Sequence, residues 1–383
     1  MSTTRTDTRT AQLVFAPQPD LDSLLGNLSA IRFSNGHLWV AGDECNEVGG
    51  EKRNTIERLT WNADSGAFDG HVRYDLSEFL DLPDGPDAEI DLEGLAIGDG
   101  YLWMIGSHSA AMRLPKRDAD KRVIDHADAI DRLRFKKNKP GPNRHLIARV
   151  PMLDDGLVKK TNGHTAAAVM FTDDGNLLTD ALSTDAHIGP YVAAGIPSKA
   201  NGFDVEGLEY IDGRLMIGLR GPVLLEYALM IEVEPKETNR KGVLGLKKIG
   251  PDGERYNKHF LHLHGRGVRD LTRDGDDLLV LAGPTMKLDA PAAVYRLRDA
   301  VHLPDAVLHE PVFERLLPFT GEVAEESREG DDGKGVARGT DHAEGLAIAE
   351  LDGERQLVVI YDSPDGGRKS ALPPSVTADL FDV

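Results

Sequence analysis

The sequence predicts an all-β fold, a single β-propeller of five four-stranded blades, and three observations predict it. One short motif recurs along the 383 residues, its copies are spaced with some regularity, and four strand-like segments fit between consecutive copies. A recurring unit of this size means an array of like modules, and it decides the fold before any local detail does.

Asp91-Leu92-Glu93-Gly94-Leu95 is followed by Gly100 and the apolar run Leu102-Trp103-Met104-Ile105-Gly106. Asp204-Val205-Glu206-Gly207-Leu208 leads to Gly213 and Leu215-Met216-Ile217-Gly218. His342-Ala343-Glu344-Gly345-Leu346 and Val268-Arg269-Asp270-Leu271 lead to similar runs, and Ser29-Ala30-Ile31 with Leu38–Gly42 is a weaker copy. Aligning the copies makes Ser29, Glu93, Glu206, Arg269 and Glu344 equivalent. The intervals are 64, 113, 63 and 75 residues. A sixth, degenerate unit would fit the long interval, and so would one unit carrying insertions.

The strand count favours insertions. Unit one offers Leu28–Phe33, Leu38–Gly42, Thr55–Trp61 and Gly70–Asp75, each alternating or apolar and bounded by turn residues. Unit two offers Gly94–Ile97, Tyr101–Gly106, His145–Met152 and Ala166–Phe171. Unit three offers Gly207–Ile211, Leu215–Leu219 and Leu229–Val233, with a fourth from Leu244–Ile249 or Tyr256–Leu263. Unit four offers Val268–Thr272, Leu278–Ala282, Ala293–Leu297 and Val312–Leu317. Unit five has Gly345–Ala349, Leu357–Asp362 and a tail near Val376–Phe381, so Gln12–Ala16 is expected to supply its missing strand. Four strands per unit is the blade of a propeller, which hides its strand edges by radial repetition.

Two stretches stand outside the pattern. Residues 110–144 are basic, with Asp120–Arg134 at helical spacing, and Asn176–Ser183 reads as a second short helix. Residues 320–340 are acidic and glycine-rich, with too little apolar surface to offset their ordering entropy, and are expected to be mobile.

A formal charge of −20 disfavours nucleic acid as a partner. There is no apolar run long enough to span a membrane and no secretory leader, so a cytoplasmic location is expected. The single cysteine, Cys45, excludes an intrachain disulfide, and its acidic neighbours argue against a nucleophile.

In a propeller the start of a blade's first strand and the end of its second open on one rim. That rim would gather the five equivalent positions with Asp43, Glu44, His108, Arg220 and His342. Crowded carboxylates repel unless one is protonated or a cation sits among them, and hard oxygen donors select Ca²⁺ or Mg²⁺. Glu93, Glu206 and Glu344 are the expected metal ligands. Arg220 and Arg269, with Asp43 and Glu44, are the expected substrate contacts, because guanidinium grips anions bidentately. His108 and His342 are the expected acid–base pair. The competing reading is that each glutamate merely caps backbone or pairs with arginine across blades. Trp39 and Trp103, at matching positions, are read as packing between blades.

The landmarks Leu38–Glu44, Glu93-Gly94-Leu95 with Ile105–Ser109, Glu206-Gly207-Leu208 with Gly218–Pro222, and Val268–Leu271 with Ala282-Gly283-Pro284 resemble the bacterial domain-of-unknown-function family 3616. The resemblance runs from about Leu28 to Pro364 and implies a propeller-type fold, with no established reaction. The Asp/Glu-x-Glu-Gly-Leu pattern is more loosely similar to that of esterase-like phytase and lactonase propellers, which implies a divalent metal in the channel and hydrolysis. The expected function is therefore metal-dependent hydrolysis of a small anionic phosphoester or a lactone. The alternative is a non-catalytic scaffold that binds a protein or ligand.

Overall fold

The computed structural model describes residues 9–19, 21–110, 115–118, 122–134, 139–154, 156–286, 290–304, 307–317, 341–364 and 366–383. The expected acidic segment 320–340 lies outside them. No helix among the described residues is long and apolar enough to cross a membrane.

The fold is all-β, and its strands follow the repeat. Unit one is an antiparallel meander of Leu28–Ser34, His37–Gly42, Thr55–Asn62 and Ala67–Asp75. Unit two runs Leu92–Gly98, Tyr101–Gly106, Ile147–Leu153 and Ala167–Val169. Unit three runs Asp204–Ile211, Arg214–Gly221, Tyr227–Val233 and Asn257–His262. Unit four runs Gly267–Asp274, Asp277–Gly283, Ala293–Leu297 and Val312–Leu316. In unit five, His342–Leu351, Glu354–Asp362 and Pro374–Asp382 pair in turn. Its outermost strand is Arg9–Val14, in register from Arg9↔Leu380 to Val14↔Ser375.

The glycines that punctuate the sequence explain the hairpins. Asn35-Gly36 and Asp212-Gly213 both place two residues at positive φ, the two-residue turn whose twist suits flanking strands. The first strand of each unit packs against the first strand of the next, and that of unit five against that of unit one. The apolar core consequently lies between sheets. Leu28, Ile31 and Phe68 of unit one meet Ala347, Val358 and Val376 of unit five, and comparable clusters fill the other interfaces. Trp39 and Trp103 are buried in two of these clusters, as their matching positions imply.

Neighbouring units are also clasped at their outer edges by short parallel pairs. Gln12-Leu13 pairs with Ala67-Phe68, Val243-Leu244 with Ala168-Val169, and Leu308-His309 with Phe260-Leu261. Of the two candidates for the fourth strand of unit three, Asn257–His262 is therefore the one used. Val243–Leu246 instead forms a hairpin with Pro235–Glu237 and extends unit two.

The insertion helix is shorter than its periodicity predicts. It covers only His126–Arg132, because Asp125 caps it, accepting from the backbone N–H groups of Ala127 and Asp128. The second short helix, Leu177–Leu182, starts at Asn176 with a reciprocal capping box. A third, Gly189–Ala194, had no clear periodic signal; Pro190 at its start and Gly195 at φ 61° bound it.

Candidate functional site

Each of the five equivalent positions is a β-bulge. The register of the first strand skips between Leu28 and Ala30, Leu92 and Gly94, Val205 and Gly207, Val268 and Asp270, and Ala343 and Gly345. Ser29, Glu93, Glu206, Arg269 and Glu344 are the residues left out of the ladder. A bulge re-aims one side chain and bends its strand, and here it does so at the same level around the ring. The glycine after three of them lets adjacent first strands approach: a Cβ on Gly94 would stand 2.7 Å from Leu208 Cβ, and one on Gly345 2.8 Å from Ile31 Cγ2.

Four of the bulge residues, Ser29, Glu93, Glu206 and Glu344, line one cavity of about 270 Å³ together with Asp43, Asp91, Asp204, Arg220 and Asp362. Glu44, Glu89, Arg144 and Lys199 stand at the same cavity. Beneath it the channel is blocked by Arg32. Its guanidinium donates 3.0 Å bonds to both carboxylate oxygens of Asp270, and donates also to the carbonyls of Ile31, Leu208, Leu271 and Leu346. One side chain thus ties four of the five first strands together and leaves the mouth open on one side only.

The charges divide into two halves. In one half arginine neutralises carboxylate. Arg269 donates to Glu206 at 2.6 Å and to both oxygens of Glu344 at 2.7 Å, while Arg220 donates to the other oxygen of Glu206 at 2.6 Å. Burial alone would raise the Glu206 pKa, but the two arginines hold it below the usual carboxylate range. Glu344 stays high, at about 8, because burial outweighs its single partner Arg269. Asp204 is raised well above the carboxylate range by burial and by Glu206, with Arg220 3.8 Å away.

In the other half the carboxylates face one another. One oxygen from each of Asp43, Asp91 and Glu93 lies within 4.8 Å of the others. Arg144 pairs with Asp91 and with Glu89 but reaches no further into the trio. Asp43 Oδ1 is buried without a hydrogen-bond partner, and among the described residues none donates to Glu93. Burial, then Asp362 and Asp91, push Asp43 up to about 8. Burial with Asp91 and Glu206 drives Glu93 well above its ordinary value, and Asp91 reaches about 6 despite Arg144. This is the pattern of negative charge awaiting a cation or a proton.

The histidines are elsewhere. His108 takes a left-handed φ of 56°, and its ring lies in the wall of a neighbouring cavity instead of among the carboxylates. Its Nδ1 donates to Gly106 O at 2.7 Å and its Nε2 accepts from Asn176 at 2.9 Å, so neither nitrogen is available for acid–base work at the mouth. His342 lies behind Arg269, beside Pro284 and Ala292, and does not line the acidic cavity. Arg220 and Glu44 are at the mouth; Glu44 accepts from Ser23 at 3.1 Å. Arg269 supports it from behind.

Several contributors are invisible at sequence level. Arg144 sits in a basic stretch where nothing singles it out, Glu89 lies in a loop, and Lys199 lies in the short helical turn Ser198–Ala200. Arg32 carried a readable sign: a charged residue inside the otherwise apolar strand Ala30-Ile31-Arg32-Phe33 has to be paired.

The protein-family profile described as "Protein of unknown function (DUF3616)" matches residues 27–379, so the chain belongs to that family. Among curated proteins, none matches it. Similar solved structures include a glycosyl hydrolase from Bacteroides ovatus, at 12% identity and a TM-score of 0.39, over 93% of this chain and 84% of that one. A glucose dehydrogenase aligns at 11% identity and a TM-score of 0.33, over 98% of this chain and 82% of that one. The Malassezia sympodialis allergen Mala s 1 aligns at 12% identity and a TM-score of 0.37, over 92% and 78%. Likeness at this level carries no statement about activity or substrate.

Proposed function

We propose that this DUF3616 member is a five-bladed propeller that holds a divalent cation, Ca²⁺ or Mg²⁺, at its channel mouth and hydrolyses a small anionic phosphoester or a lactone there. The observation that supports this most is the trio Asp43, Asp91 and Glu93, whose oxygens lie within 4.8 Å of one another with no described donor for Glu93. An all-oxygen donor set fits a hard cation better than zinc. Glu206 and Glu344 are committed to Arg220 and Arg269, so of the three expected metal ligands only Glu93 belongs to the proposed set. When bound, such a cation supplies Lewis-acid polarisation of a substrate oxygen and a more acidic water.

The remaining roles fall to the chain's own groups. Lys199 lines the cavity and makes no ion pair among the described residues, so it is the natural contact for a substrate anion. Arg220 commits Nε to Thr285 O at 3.1 Å and Nη1 to Glu206, which leaves Nη2 for the same anion. Asp204, whose pKa burial and Glu206 raise well above the usual carboxylate range, is assigned the role of proton donor to the leaving group. The cytoplasm is the compartment this reading assigns, on the single free thiol of Cys45.

The test is calorimetric titration of chelator-treated protein with Ca²⁺ and Mg²⁺, followed by hydrolysis of p-nitrophenyl phosphate and a fluorogenic lactone. Binding of one cation, with hydrolysis that needs it and is lost in Glu93→Gln, supports the proposal. Failure to bind either cation overturns it. Binding without hydrolysis of any ester overturns the enzymatic half and leaves a cation-dependent binding protein.

A further inference from the structure

The outer edge of unit two carries a groove of about 800 Å³ that shares no residue with the acidic mouth. It follows the outermost strand Ala167–Val169, between Phe79-Leu80, which lead out of unit one, and the turn Arg240–Gly242. Its apolar lining includes the buried Phe79 and Leu80 together with Ala168 and Phe171. Four cations line it as well, Lys159, Lys160, Arg240 and Lys241, against one carboxylate, Asp81. Backbone bonds gather them: Ala166 N–H donates to Lys159 O and Ala168 N–H to Gly242 O, so the two pairs of cations flank one end of the strand. Arg240 reaches across to the lining, its Nη1 3.7 Å from Met170 Sδ. None of the four makes an ion pair among the described residues.

On a chain of formal charge −20, four unneutralised cations around one groove reverse the sign locally, and their mutual repulsion is relieved by an anion. We infer that this groove binds a single-chain amphiphilic anion, with its head among Lys159, Lys160, Arg240 and Lys241 and its chain against Phe79, Leu80 and Phe171. Both halves of the lining enter the choice. A small inorganic anion would leave the apolar surface in water, and a neutral apolar molecule would leave the cations without a counter-charge. All four cations are exposed, so a charged head stays hydrated while the chain is covered. Size agrees, because about 800 Å³ is in the range that buries most of a drug-sized ligand. An anionic bilayer is a poorer occupant, since the site is concave and the charge of the whole chain repels such a surface.

Octanoate, octanol and acetate are the probes, titrated against the full chain by ligand-observed NMR in the presence of chelator. Octanoate is expected to bind saturably, octanol about tenfold more weakly, and acetate not at all. Decanoate should bind about tenfold more tightly than octanoate, because each buried methylene is worth about threefold. The double charge reversal Lys160→Glu with Lys241→Glu should weaken octanoate about tenfold and leave octanol unchanged, while Ala168→Trp, which fills the groove, should weaken both. Circular-dichroism melts establish that each variant is folded. Should Ala168→Trp not fold, the octanoate-to-octanol ratio of the wild type and its loss in the charge-reversed protein decide the matter. No saturable octanoate binding, equal binding of octanoate and octanol, octanoate binding unchanged by the charge reversal, or co-sedimentation with phosphatidylglycerol vesicles would each overturn the inference.

Discussion

Asp43→Asn separates a cation site from a merely crowded one, with opposite signs in chelator and in calcium. In the absence of cation the Asp43 carboxyl has its pKa raised from 3.8 to about 8, chiefly by burial and then by Asp362. A carboxyl whose folded pKa lies above its unfolded one leaves the fold at full strength below the unfolded value and weakens it as it ionises. Stability in chelator should therefore fall as pH rises from about 4 to about 8. At 1.36 kcal/mol per unit, a shift of about 4 units is roughly 5 kcal/mol. Water in the cavity and shared titration with Asp91 and Glu93 cut this to about 2–3 kcal/mol. Asn keeps the shape and removes the charge. At pH 8 in EDTA the variant should melt roughly 3–5 °C above wild type, at about 2 °C or less per kcal/mol for so long a chain, and the curves should converge near pH 4. Calcium at a hundredfold its dissociation constant should add about 2.7 kcal/mol to wild type and far less to the variant. Scanning calorimetry across pH, with and without Ca²⁺, measures all of this. An Asp43→Asn protein that melts no higher than wild type at pH 8, or that calcium stabilises as well as wild type, refutes the reasoning.

Glu206→Gln should behave differently, because Glu206 bridges Arg220 and Arg269: urea denaturation is expected to show a loss of about 3 kcal/mol from the uncompensated arginines, while the calcium-induced rise in melting temperature persists. Gly94→Ala should cost about 1–3 kcal/mol by the same measurement, since its Cβ would press on Leu208 Cβ at 2.7 Å and Ile105 Cγ2 at 2.9 Å.

The repeat made the ring of equivalent positions legible, because rotation in a closed array needs only sequence alignment. It also marked the strand that Arg9–Val14 contributes, through the deficit in the last unit. Which carboxylates would be neutralised was not legible. Arg220 and Arg269 reach Glu206 only because bulges turn three side chains toward one another, and a ladder irregularity leaves no mark in composition. The trio of Asp43, Asp91 and Glu93 combines the end of one unit's second strand with the start of the next unit's first, a juxtaposition across units that within-unit alignment does not show. His108 was misplaced for a local reason. A left-handed residue two positions beyond a strand end decides where its ring goes, and non-glycine residues adopt that conformation without a sequence rule strong enough to foresee it.

Arg32 has a consequence for traffic. By spanning the bore from Leu208 to Leu346 and anchoring to Asp270, it converts what ring topology would make a tunnel into a blind vessel. Under the proposed function, a ligand held among the carboxylates would enter and leave on the same side, past Lys199 and Glu44, as far as the described residues go.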